Sequence, residues 1–206
     1  MNLATDKEKV SYIIGEDIGN SFLKEGYDLD IEVLITAIRN AATGIDQSNL
    51  SNEEKNAVMQ RWQAAEQAKR QAINAEISKA AKEEGQAFLQ KNKESADVKE
   101  TASGLQYKVI KEGDGAMPKA TDTVHVHYHG TLLNGNVFDS SVQRGEPISF
   151  PLNQVIAGWT EGLQLMKKGS KYRLFIPSHL AYGDQSVGSI PAGSTLIFDV
   201  ELLDIK

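Results

Sequence analysis

Cysteine is absent from the 206 residues, which excludes disulfides, thiolate metal sites and cysteine nucleophiles together. Proline is scarce and one-sided. All five prolines (Pro118, Pro147, Pro151, Pro177, Pro191) and 12 of the 17 glycines lie after residue 103. No apolar run reaches the ~18 residues of a membrane-spanning helix. Basic residues do not predominate: 22 Lys and Arg against 28 Asp and Glu leave a net charge of -6, the wrong sign for the basic face of a nucleic-acid binder. Residues 1–10 are polar and charged, without the apolar stretch of a signal peptide, so the expectation is a cytoplasmic chain with no membrane or nucleic-acid partner. With 40% hydrophobic residues it can bury a core, as one large domain or two small ones.

The proline-free half reads as helices. Val10, Ile13, Ile14, Ile18 and Phe22 recur at helical spacing up to Gly26. Asp30 suits an N-cap, Leu34, Ile38 and Ala41 continue an apolar stripe, and Gly44 suits a C-cap. Ser51-Asn52-Glu53-Glu54 has the form of a capping box, and nothing interrupts the chain from there to about Asn92. At ~1.5 Å per residue this third helix would be on the order of 60 Å long. Its apolar positions (Val58, Trp62, Ala65, Ala72, Ile73, Ile77, Ala80) thin into alanines, so its early part is expected to be packed and its later part to be an exposed strut. Two short helices of about 45 residues bury too little to stand alone, which points to their apolar faces being shared with a second copy of the chain. The expected division is 1–50 for a helical dimerisation domain, 51–93 for the connecting helix, 94–103 for a polar hinge and 104–206 for a strand-rich domain.

That last domain alternates with period two: Leu105, Tyr107 and Val109, then Val124, Val126 and Tyr128. Further strands are read at Tyr172-Arg173-Leu174-Phe175-Ile176, stopped by Pro177, and from Thr195 to Leu203. Residues 155–166 form the one short helix expected among them, giving an α+β arrangement of an antiparallel sheet against a helix. Residues 137–165 gather bulky apolar side chains and one acid, Asp139, where glycine and proline break regular structure, as a shaped apolar pocket requires.

Three other chemistries have candidate residues in this half. His125, His127 and His129 share one strand face and could chelate a metal, but no cysteine or paired acid supports this, and they are expected simply to face water. Ser140, Ser141, His179 and Asp139 are the residue types of a hydrolytic triad, yet neither serine sits in a Gly-x-Ser-x-Gly elbow. The glycine clusters at 113–115 and 130–135 lack the phosphate-loop pattern and read as turns.

Gly104-Leu105-Gln106-Tyr107, Val126-His127-Tyr128-His129-Gly130, Phe138-Asp139-Ser140-Ser141, Val155-Ile156-Ala157-Gly158-Trp159, Ala181-Tyr182-Gly183 and Leu196-Ile197-Phe198-Asp199-Val200-Glu201-Leu202 follow in order across residues 101–206. This half resembles an FKBP-type peptidyl-prolyl cis/trans isomerase, and the whole chain is similar to the two-domain bacterial branch typified by the macrophage infectivity potentiator. The resemblance implies a sheet of five or six strands curled around the short helix, and dimerisation through the N-terminal helices. It implies catalytic roles for Asp139, Tyr182, Phe138 and Tyr128, and a substrate-binding surface of Phe150, Val155, Ile156, Trp159, Phe198 and, on a flap loop, Ile190. Arg144 would hold Asp139. No cofactor or metal is implied. The implied partners are proline-containing unfolded or partly folded polypeptides and the family's macrolide inhibitors. Ile148, where well-known members carry an aromatic, and a flap that looks one residue shorter bear on inhibitor affinity and substrate preference. The competing reading is a dimeric chaperone or binding module whose isomerase fold mainly docks clients; loss of Tyr182, Phe138 or Trp159 would favour it.

Overall fold

The structure is a computed structural model that describes residues 3–45 and 50–206. The link between the second and third helices, where the expected 1–50 domain ends, lies largely outside the described residues. Two compact units, Met1–Met59 and Gln60–Lys206, divide the chain.

In the first unit, helix α1 (Asp6–Glu25) is opened by Thr5, whose hydroxyl accepts from the Glu8 N–H while the Glu8 carboxylate accepts from the Thr5 N–H. Gly26, at φ 68°, closes it. Helix α2 (Ile31–Thr43) begins at Asp30, which accepts from the Val33 N–H at 3.0 Å, and stops at Gly44. These caps satisfy backbone groups that a helix end otherwise leaves to water. No residue of either helix is buried.

Helix α3 (Asn52–Asn92) begins with the expected capping box: Ser51 accepts from the Glu54 N–H at 3.2 Å, and Glu54 accepts from the Ser51 N–H at 2.8 Å. Its packing is the reverse of the expectation. Val58 and Met59 are about half exposed at 45% and 48%, whereas the helix's buried residues, Ser78 and Gly85, both lie in the later part. There the Phe88 ring sits 5.8 Å from Phe175. The Gln106 amide donates to the Leu89 carbonyl at 2.9 Å and its oxygen accepts from Asn92 at 2.8 Å. Beside Phe88, small side chains and hydrogen bonds make this contact, and hydrophobic periodicity registers neither of those. The expected hinge is likewise partly ordered: Val98–Glu100 forms strand β1, and the Glu100 carboxylate accepts from Gln106 at 2.7 Å.

The remaining elements are β2 (Gln106–Lys111), β3 (Thr123–Leu132), β4 (Val137–Ser140), α4 (Ser141–Arg144), β5 (Ile148–Pro151), α5 (Ala157–Gln164), β6 (Lys171–Ile176) and β7 (Leu196–Ile205). All strand pairs are antiparallel, in the order β1-β2-β6-β7-β3-β4 with β5 also on β3. Seven strands replace the five or six expected, because β1 is short and polar and because β4 and β5 are short strands with only α4 and three further residues between them.

The inner face of the sheet closes on α5. Val124, Val126, Leu174, Ile176, Leu196, Val200 and Leu202 are fully buried with Leu163 of the helix, each such side chain contributing roughly 1.5–3 kcal/mol. Gly158 lets α5 approach this closely, since a Cβ there would lie 2.4 Å from Ile176 Cγ2. On the outer face, Arg173 donates twice to Asp199, its register partner across β6 and β7, at 2.6 and 2.7 Å. Among the described residues no helix is long and apolar enough to cross a membrane.

Candidate active site

Alternation along β3 turns Tyr128 inward beside Val124 and Val126. The neighbouring β7 turns Phe198 to the same side, and α5 delivers Trp159 from below. The three rings are 4%, 4% and 5% exposed. They meet edge to face: Tyr128 and Trp159 at 5.2 Å and 81°, Trp159 and Phe198 at 5.2 Å and 79°. Phe150 joins Trp159 at 5.7 Å and Phe138 joins Phe198 at 5.3 Å. This is the geometry the ring quadrupoles favour, and it leaves a cavity of about 460 Å³.

All ten residues expected in the pocket line it: Tyr128, Phe138, Asp139, Phe150, Val155, Ile156, Trp159, Tyr182, Ile190 and Phe198. Gln154, Val187, Gly188 and Ser189 line it too and were not anticipated. The last three belong to the flap, where Val187 and Ile190 exchange backbone hydrogen bonds at 3.0 and 2.9 Å. Gly188 inside an otherwise apolar-ended loop was the available signal. Ile148 is 37% exposed on β5 and is not among the lining residues.

Arg144 stands outside the lining, where it pairs with the Asp139 carboxylate and donates to the Tyr128 hydroxyl at 2.9 Å. That hydroxyl donates in turn to the other Asp139 oxygen at 2.5 Å. The chain folds back so tightly because Ser140 caps α4 and Gly145, at φ 74°, ends it one turn later. Ser141, fully buried, accepts from the Tyr128 N–H at 2.8 Å and donates to the Tyr128 carbonyl at 3.2 Å, fixing that tyrosine. Weighing Ser141 only as a nucleophile missed this role. Burial pushes the Asp139 carboxyl up, but hydrogen bonds from Tyr128 and Arg144, with the arginine's charge, outweigh it and hold it below the usual carboxylate range. Burial and the Asp139 neighbour push the Tyr128 phenol up.

Two donors remain unused. The Trp159 indole nitrogen is buried and has no hydrogen-bond partner. The Tyr182 side chain, 37% exposed at the rim, has no hydrogen bond among the described residues. In addition, no side chain caps the first turn of α5, which starts beside the lining residues Val155 and Ile156.

The three histidines do not simply face water. Each is half-buried, with Nδ1 at 2.9 to 3.0 Å from a serine hydroxyl: His125 with Ser149, His127 with Ser141 and His129 with Ser140. Among the described residues no group of three His, Asp or Glu is placed to hold a metal ion. His179 bonds to the Ser103 carbonyl at 3.0 Å, away from Ser140 and Ser141, so no hydrolytic triad forms.

A one-acid aromatic pocket between a curled antiparallel sheet and a short helix is the site of a prolyl isomerase fold. Residues 115–203 match the family FKBP-type peptidyl-prolyl cis-trans isomerase, and residues 7–109 match the domain amino terminal to FKBP-type peptidyl-prolyl isomerase. The chain belongs to that family and is a peptidyl-prolyl cis/trans isomerase. It is 44% identical to the outer membrane protein MIP of Legionella longbeachae over 100% of this chain and 88% of that one. It is 46% identical to FkpA of Aeromonas hydrophila over 97% and 76%. The crystal structure of FkpA from Escherichia coli superposes with a TM-score of 0.77 at 40% identity, covering 100% of this chain and 99% of the other.

Proposed function

We propose that the cavity floored by Trp159 receives the prolyl ring of an unfolded or partly folded polypeptide, and that the groups at its rim act on the amide as it twists. Rotation about a peptide bond costs ~18–20 kcal/mol because conjugation is lost, and X–Pro bonds take tens to hundreds of seconds uncatalysed. The twisted amide is less charge-separated than the planar one, so transfer from water to an apolar box favours it relative to the ground state. Tyr182 donates to a substrate carbonyl, the open first turn of α5 offers backbone N–H groups to another, and Asp139, kept ionised by Tyr128 and Arg144, faces the twisting carbonyl. Phe138, Phe150 and Phe198 exclude water, with Ile190 closing from the flap.

The observation that carries this reading is an aromatic cavity complete in every expected residue, with a free hydroxyl at its rim. It also tells against the docking-module alternative, which the loss of Tyr182, Phe138 or Trp159 would have favoured. Macrolide inhibitors of the family fit the same cavity. A macrolide should compete with a short Xaa-Pro peptide and change the fluorescence of Trp159 but not that of Trp62. A response that persists in Trp159→Phe would put the ligand elsewhere.

The first unit supports a homodimer. Val10, Ile13, Ile14, Val33, Ile38 and Leu23 are 51% to 82% exposed on two helices with no buried residue, an apolar surface that a second copy would cover. Two joined sites raise the effective concentration of a captured chain, which is the basis for chaperone-like client binding.

A further inference from the structure

The flap, residues 183–195, is anchored at two feet. Its first residue, Gly183, accepts from the N–H of Gly193 at 2.8 Å, and between them Val187 and Ile190 close the loop on itself. A loop closed on itself in this way takes its position from what holds its feet. Tyr182 directly precedes the first foot, and Val187, Gly188, Ser189 and Ile190 within the loop line the cavity.

Both feet rest on α3. Ser78, 4% exposed, donates through its hydroxyl to Asp184, which also pairs with Lys82. At the second foot, a Cβ on Gly193 would lie 2.4 Å from the Ser78 carbonyl oxygen. Seven residues beyond Ser78, a Cβ on Gly85 would lie 2.2 Å from Thr195 Oγ1, and Thr195 is itself buried at 4% exposure. The two residues that α3 buries therefore both face the flap.

We infer that the later part of α3 braces the active-site flap, with Ser78, Lys82 and Gly85 acting as positioning residues that set where Tyr182 and Ile190 stand. None of them lines the cavity; they act through the loop. The inference rests on the reading of the cavity as the isomerase site. An exposed Lys82–Asp184 pair contributes little by itself, so the close approach at Gly85 and Gly193 holds most of the brace.

The test uses the full chain. Gly85→Ala improves helix propensity yet drives a methyl group into Thr195, so it should lift α3 from the flap without weakening the helix. Circular dichroism should show the variant folded at the assay temperature. Its KM for a short Xaa-Pro peptide should rise about threefold to tenfold with kcat little changed, and macrolide affinity, read by Trp159 fluorescence, should fall by the same factor. Removing the obstructing hydroxyl in Gly85→Ala/Thr195→Ala should restore both to within about twofold. Asp184→Ala, which frees the first foot only, should give a smaller loss of the same kind. A folded Gly85→Ala with unchanged KM and unchanged macrolide affinity overturns the brace, as does a loss that the second substitution fails to restore. If macrolide leaves the Trp159 fluorescence of the unsubstituted chain unaltered, the reading of the cavity is the part that fails, and the brace falls with it.

Discussion

Asp139, Tyr128 and Arg144 form a closed set in which each group has two partners, so the acid is both ionised and immobile. Tyr182→Phe removes one hydrogen bond and should lower kcat/KM about threefold to tenfold, with thermal unfolding unchanged. Asp139→Ala should cost at least as much, because it takes the shared carboxylate acceptor from both Tyr128 and Arg144. Full activity in both variants would place the chemistry elsewhere. The pH dependence follows from the direction of each shift. Asp139 has a folded pKa below its unfolded value, so its contribution is present above ~4 and is lost as pH falls through the lower folded value. The Tyr128 phenol is shifted up, so its donated bond is intact below ~10 and fails only at higher pH. Activity should therefore be level from about pH 5 to pH 9 and drop in acid below the ordinary carboxylate range, as a pH–rate profile of kcat/KM would record.

At the scale of elements, α5 sets the floor of the site. Gly158→Ala would force a methyl group into Ile176, push the helix away from the sheet and carry Trp159 with it. Overpacking of this kind costs typically 1–3 kcal/mol, so chemical denaturation should show a loss in that range together with weaker macrolide binding. The isomerase segment 101–206 without α3 should still catalyse peptide isomerisation, but with the raised KM of an unbraced flap. The strong alternation of β3, the strand at β7, the C-terminal end of α1, both ends of α2 and the capping box at Ser51 were all legible in the sequence, because each is a local pattern with a local cause. The pocket residues were legible because ordered motifs carried them. What escaped was non-local. The burial of Ser78 and Gly85 depends on a loop that follows them by about a hundred residues in sequence. Helix α4 is the local exception: four residues are too few for a helical periodicity to register. The hydrogen bonding of the three histidines depends on serines contributed by the adjoining β4, α4 and β5 segments.

At the scale of the molecule, the exposed faces of α1 and α2 predict that the full chain sediments as a dimer and that removing residues 1–50 yields a monomer. That truncated chain keeps α3 and hence the flap brace, so its activity on short peptides should persist. Its catalysis of proline-limited refolding should fall, since a long client is no longer held while its prolines turn over. A monomeric full-length chain would remove the dimer, and equal refolding catalysis after truncation would remove the holding role.

Strand β7 lies between β6 and β3 at the centre of the sheet, although it is the last strand in sequence. On a ribosome, α1 and α2 emerge before the catalytic unit and need only local hydrogen bonds, whereas β3 has to wait for the segment Leu196–Ile205 before it gains its longest partner. If the helical unit pairs with a second copy as proposed, it can do so while the catalytic unit is still unformed.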